Sequence, residues 1–220
     1  FLAAWTIPRV PVARSEGGVV ATIAVAWAAI REDRLLRLAI GINIMFWTVA
    51  SLFGQDMLIY AKARLELSDE LSGLPLAVLG IGIGIGAGLA GRLSASKIEI
   101  GLILPGCFCL AGGLLVLGLI PPSLTGALTL MAVLGIASGF INVPINALIQ
   151  WRAPADRRGA VIALGNTFMF GGVMLGSLGA GFLSHIGLSA TDILLACAGV
   201  ALIGTVTVLW LMPDSLLRFT

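Results

Sequence analysis

The sequence predicts an all-α membrane protein with six transmembrane helices, and three observations carry that expectation. Hydrophobic residues make up 59% of the 220 positions and charged residues only 11%, whereas an ordinary soluble domain is about a quarter charged. The apolar residues gather in six stretches, each long enough to cross a bilayer core, which takes about 20 helical residues. Finally, eleven of the thirteen Lys and Arg residues fall on one side of a bundle threaded in this way, the asymmetry that orients membrane helices. Mean hydropathy is +1.07, so most of the surface must face lipid.

Taken in order, Phe1–Pro8 is apolar but too short to span, and no signal-peptide charge precedes it. The chain opens on Phe1 rather than Met, so residues 1–8 read as the end of a preceding transmembrane helix and the chain as a piece of a longer protein. Residues 9–37 form the one long non-spanning segment, a cytoplasmic linker. Ser15-Glu16-Gly17-Gly18 breaks it, and Val19–Ile30 is apolar but short. Two readings stand: a helix on the membrane face, ending at the Arg31-Glu32-Asp33-Arg34 cluster, or a partly ordered linker.

Residues 38–212 hold the six spans: Leu38–Leu58, Leu71–Gly91, Ile100–Ile120, Leu124–Ile149, Ala160–Ser184 and Asp192–Met212. Polar or breaker residues close each one, at Lys62–Glu70, Arg92–Glu99, Pro121-Pro122, Trp151–Gly159 and His185–Thr191. Helices follow because a backbone in hydrocarbon must satisfy its own hydrogen bonds. A barrel would need a polar lumen face, and the residues between Gly80, Gly82, Gly84, Gly86 and Gly88 are themselves apolar. Residues 213–220 form a cytoplasmic tail or a junction to a following domain. Arg9, Arg14, Arg31, Arg34 and Arg37 precede the first span, and both basic loops and Arg218 share their side. That places both ends of the bundle in the cytoplasm, with Lys62 and Arg64 opposite.

The net charge of +2 gives no footprint for nucleic acid. Cys107, Cys109 and Cys197 lie in apolar runs without a CxxC pair, and His185 is the single histidine. Neither a disulfide framework nor a metal site follows, the cysteines read as small apolar fillers, and no cofactor is expected. No nucleophile lies near a base, so this segment is not expected to be an enzyme. Gly86-Ala87-Gly88-Leu89-Ala90-Gly91 matches GxGxxG, but the motif needs a strand before it and here it closes a span. The four-residue ladder Gly80, Gly84, Gly88 instead suggests close approach of a neighbouring helix.

The fourth span is the most informative. Ser138, Asn142, Asn146 and Gln150 recur every fourth residue and share a slowly drifting face, with Pro144 between the asparagines. Amides are costly in hydrocarbon, so this face must look into protein or water. It reads as the polar wall of a substrate cavity, the alternative being interhelical hydrogen bonds. Asn43 and Trp47 with Ser51, then Gln55, extend the polar set on the first span, and Asn166 does so on the fifth. Asp56 is the one carboxylate that fits inside the membrane: it is either a proton or cation site or an interfacial residue at the mouth. Arg92, Lys97, Arg152, Arg157 and Arg158 form the cytoplasmic loops.

Six spans with cytoplasmic ends, a long lead-in and the short basic loop Gly91-Arg92-Leu93-Ser94-Ala95-Ser96-Lys97 resemble the C-terminal six-helix half of the major facilitator superfamily. The loop lacks the aspartate of the usual pattern. More narrowly, Gly139-Phe140-Ile141-Asn142-Val143-Pro144-Ile145-Asn146-Ala147-Leu148-Ile149-Gln150, followed by Arg158-Gly159 and Asn166, is similar to the bacterial lysophospholipid transporter family. So are Gly80–Gly91 with Lys97-Ile98-Glu99, and Asp33-Arg34 leading into Phe46-Trp47.

The resemblance implies a C-terminal transporter half that pairs with an N-terminal half outside this chain, residues 9–37 linking the two. Together they would move lysophospholipid, such as lysophosphatidylethanolamine, across the bacterial inner membrane. It also implies a partner or fused acyltransferase and acyl–carrier-protein ligase that re-acylate the lipid, with Pro213–Phe219 resembling the fusion junction. The rival readings are a drug or metabolite exporter of the same superfamily, and a membrane anchor for a fused acyltransferase. The cytoplasmic loops would serve gating.

Overall fold

The computed structural model describes residues 18–94, 100–120 and 122–211, and among them every regular element is helical. The elements are α1 (Val19–Glu32), α2 (Arg34–Ala63), α3 (Leu74–Leu93), α4 (Ile103–Leu119, after a 3-10 turn at Ile100–Leu102), α5 (Leu124–Arg152), α6 (Arg158–His185) and α7 (Ala190–Leu211). Helices α2 to α7, α4 together with its 3-10 turn, are long and apolar enough to cross a membrane, and they correspond one to one with the predicted spans. Phe1–Pro8, Lys97 and residues 213–220 lie outside the described residues.

Local chemistry sets the ends. Asp33 caps α2, its carboxylate accepting the Leu36 N–H at 3.1 Å, so α2 starts a turn before the apolar stretch does. An aspartate at this position satisfies an orphan N–H of the first turn. Conversely, α3 begins at Leu74 rather than Leu71: residues 69–73 are turns and Pro75 occupies the first helical turn, where its missing N–H costs nothing. Ser123 caps α5 through the Gly126 N–H at 3.3 Å. Pro144 sits inside α5, which runs unbroken past it.

Val19–Ile30 is helical. In α1, Ala26, Ala29 and Ile30 are buried while Val19, Val20 and Ile23 are exposed. It packs on α6, where Trp27 meets Phe168 edge-on at 5.8 Å between ring centroids.

The bundle maps onto itself when its first three spans are exchanged for its last three. The two most extensive seams, α3 on α5 and α6 on α2, exchange places; so do α4 on α5 and α7 on α2, while α4 on α7 and α2 on α5 are their own equivalents. This is the contact pattern of an internal three-plus-three repeat. Glycine sets the seams. A Cβ at Gly82 or Gly86 of α3 would strike the backbone of Ala132 or Ile136 within 3 Å, and one at Gly135 or Gly139 of α5 would strike that of α3. Gly80, Gly84 and Gly88 meet nothing within 4 Å. The expected ladder is therefore displaced by two residues: Gly82 and Gly86 carry the contact, because theirs is the face on which α5 presents its own glycines.

Candidate functional site

Four helices enclose a cavity of about 120 Å³. From α2 come Phe46, Trp47, Val49, Ala50 and Phe53, at the spacing that keeps one helical face together; Leu79 and Ile83 come from α3, Leu110 and Leu114 from α4, and Leu134, Ser138 and Asn142 from α5. The wall is apolar apart from Trp47, Ser138 and Asn142, and no charged residue lines it. On this scale the space resembles an engineered cavity of roughly 150 Å³ that stays dry and admits benzene.

Its polar atoms differ in what they have left to offer. The Ser138 hydroxyl donates to the Leu134 carbonyl of its own helix at 2.8 Å. The Asn146 amide donates to the Asn142 carbonyl at 2.9 Å and also to the Asn142 side-chain oxygen, so the two asparagines form one unit running away from the cavity. The indole N–H of Trp47 is buried without an acceptor, although its ring packs edge-on against Phe46 at 5.7 Å. One turn back, Asn43 is 3% exposed and its side-chain oxygen also lacks a partner. A free donor and a free acceptor thus stand on adjacent turns of α2, and a buried group of either kind is costly unless something meets it.

The remaining residues are not brought together. Gln150, Gln55 and Asn166 are exposed and line no part of the cavity. Asp56 is 1% exposed, and neither carboxylate oxygen has a hydrogen-bond partner. Ser51, on the α2 face toward α6, shares a hydroxyl hydrogen bond with Ser177 at 2.8 Å. The apolar walls Phe53, Leu110 and Leu114 were invisible in the sequence, since nothing marks one leucine of a membrane span as facing a cavity.

At the basic end, Arg152 closes α5 and reaches Asp33, its Nε at 2.7 Å and its Nη2 at 2.5 Å from the same oxygen. Burial pushes the Asp33 carboxyl up, but the Leu36 N–H and the Arg152 guanidinium outweigh it and hold the group below its ordinary value. Arg152 also lies over the Trp151 ring at 5.5 Å. It is therefore a brace between the ends of two cavity helices. Arg157 pairs with its neighbour Asp156 at 3.0 Å, while Arg92 and Arg158 are exposed near helix ends.

Residues 1–177 match the family model described as Major Facilitator Superfamily. No curated protein and no solved structure matches the chain.

Proposed function

The chain belongs to the major facilitator superfamily, and from that premise we propose that it is half of a lysophospholipid transporter of the bacterial inner membrane. Membership makes it part of a multi-pass membrane transporter. The substrate reading rests on one observation: a cavity with an apolar wall whose polar atoms, from Trp47, Ser138 and Asn142, carry no charge. An amphiphile with a hydrocarbon chain and a zwitterionic head, such as lysophosphatidylethanolamine, suits that composition. The cavity would take a segment of the chain, and the Asn142–Asn146 unit and Trp47 would meet polar groups beside it. The rest of the lipid would lie against the bilayer or an N-terminal half.

In this reading the basic end faces the cytoplasm, an orientation that the Lys and Arg asymmetry supports, and lipid is delivered there for re-acylation by an acyltransferase and acyl–carrier-protein ligase. The test uses the full-length protein in cells stripped of their own lysophospholipid uptake, offered labelled lysophosphatidylethanolamine from outside. Labelled diacyl lipid should accumulate inside, and the Asn142→Leu/Asn146→Leu variant should insert normally but transport nothing. Full uptake by that variant would remove the amides from the substrate path. No uptake by well-inserted native protein would replace the lipid with an exporter's substrate or leave only an anchor.

A further inference from the structure

No residue of α1 lines the cavity, and no charge falls on this helix between Val19 and Ile30. Its one polar side chain there, Thr22, turns its hydroxyl back to the Gly18 carbonyl at 3.4 Å. Successive residues of a helix stand about 100° apart. On that spacing the buried residues Ala26, Ala29 and Ile30 occupy an arc of about 100°, the side that packs on α6 and α2. Val20, Ile23, Ala24, Val25, Trp27 and Ala28 are spread around the rest, and all are exposed, Val20 at 81% and Ile23 at 48%.

A helix lying on a membrane surface needs a polar face to turn to water. Helix α1 has none, and a helix that is apolar all round belongs in an apolar medium. Its depth agrees. Helix α6 starts at the exposed Arg158, and Phe168, the residue that meets Trp27, lies ten residues further on. Ten residues are about 15 Å of helix, half of a hydrocarbon core of about 30 Å. Trp27 therefore sits well inside the leaflet at whose edge Arg158 stands. The charges begin only where α1 ends. Arg31, Glu32, Arg34 and Arg37 are exposed, and the Arg37 guanidinium donates to the Arg31 carbonyl. An excess of arginine at that end suits anionic lipid phosphates.

We infer that α1 lies in the membrane plane within the leaflet at the basic end of the bundle, its free face covered by lipid acyl chains and its arginine-bearing end at the phosphates. A neighbouring helix covers one side, as α6 does here. Rigid protein would have to close on α1 from several further sides, whereas acyl chains fill any outline. The helix ends hold it in the plane: the first-turn N–H groups have no side-chain cap and must reach head-group level to find partners. The inference rests on the chain being a membrane protein of this family, whatever its cargo.

The test uses the full-length protein in vesicles that carry a phospholipid with a diazirine midway along one acyl chain. Illumination gives a carbene that inserts into neighbouring bonds, and peptide mass analysis locates the adducts. Val20, Ile23 or Trp27 should carry acyl adducts, as should Phe170 of α6 and Ile203 of α7, which are exposed on membrane spans. A water-soluble diazirine should leave α1 unlabelled. Acyl adducts on the spans but none on α1 would overturn the inference in favour of a protein occupant. Labelling of α1 by the water-soluble reagent as strong as that of the loops would overturn it in favour of water.

Ile23→Asp places a charge on the free face, which hydrocarbon does not tolerate. In this variant α1 should lose most of its acyl adducts and gain water-soluble ones, while α6 and α7 keep theirs. Unchanged labelling of α1 in well-inserted Ile23→Asp would also overturn the inference. If the variant does not insert, the labelling of native protein still decides.

Discussion

The seams α3/α5 and α2/α6 hold equivalent places in the repeat, yet they achieve close approach by different means. At α3/α5, glycines stand on both sides, Gly82 and Gly86 against Gly135 and Gly139, and the nearest atoms to each are backbone. At α2/α6 the glycines are on α6 alone. Gly172 and Gly176 receive the backbone of Ile44 and Thr48 with the side chains of Thr48 and Ser51, and the Ser51–Ser177 hydrogen bond adds a polar tie. Lipid tails supply no hydrophobic drive between helices, so both seams depend on packing. The difference teaches that a polar tie accompanies the seam in which only one helix gives up its side chains. The seam bare on both sides has no such tie and no side chain that could rotate away.

The largest effect should therefore come from filling the bare seam. In Gly139→Ala the new Cβ lands on the Gly86–Ala87 backbone, and the helices can respond only by separating. Overpacking of this kind costs about 2–3 kcal/mol. Reversible unfolding of the full-length protein in mixed micelles reads it, and a loss under half of that would mean that the seam yields. Gly176→Ala at the other seam meets the Thr48 carbonyl but otherwise the Ser51 side chain and Leu52 N–H. A smaller loss, about 1–2 kcal/mol, is expected in the same assay. Equal losses for the two variants would abolish the distinction between the seams.

How much of this was readable beforehand follows from the physics of each signal. Six spans were legible because 20 apolar residues in a row have few other uses. The glycine contact was not, since glycine at every second position from Gly80 to Gly88 writes two ladders at once, and only the partner helix chooses between them. The amide stripe was partly legible. Four residues turn a helix by about 400°, so each step drifts by about 40°; Ser138 and Asn142 reach the cavity, Asn146 reaches Asn142, and Gln150 has rotated out to the surface. Asp56 was visible as an intramembrane acid, but its burial depends on α4 and α7, more than fifty residues away.

The polar tie itself should matter less than either glycine. Ser51→Ala removes one hydroxyl of a pair, and Ser177 can turn back to a carbonyl of its own helix, as Thr48 does to Ile44 at 2.8 Å. Interhelical hydrogen bonds in membranes average ~0.6 kcal/mol, and the same unfolding assay should return about that value. A Ser51→Ala/Ser177→Ala double variant no worse than either single change would confirm that one bond is being measured. A loss matching Gly176→Ala would make the hydroxyl pair, not the glycines, the main support of α2/α6.

The smallest effect is expected at Gly84→Ala, and it sharpens the comparison by showing that position, not residue type, sets the cost. Gly84 lies two residues from both Gly82 and Gly86, is exposed, and a Cβ there meets nothing within 4 Å. Alanine also favours the helix more than glycine does, so stability should stay within about 0.5 kcal/mol of native, as for surface changes generally. If Gly84→Ala instead costs as much as Gly176→Ala in the full-length protein, some segment outside these helices must lie on that face of α3. The stripe Gly80, Gly84, Gly88 would then be a third seam, made not within the repeat but against whatever completes the transporter.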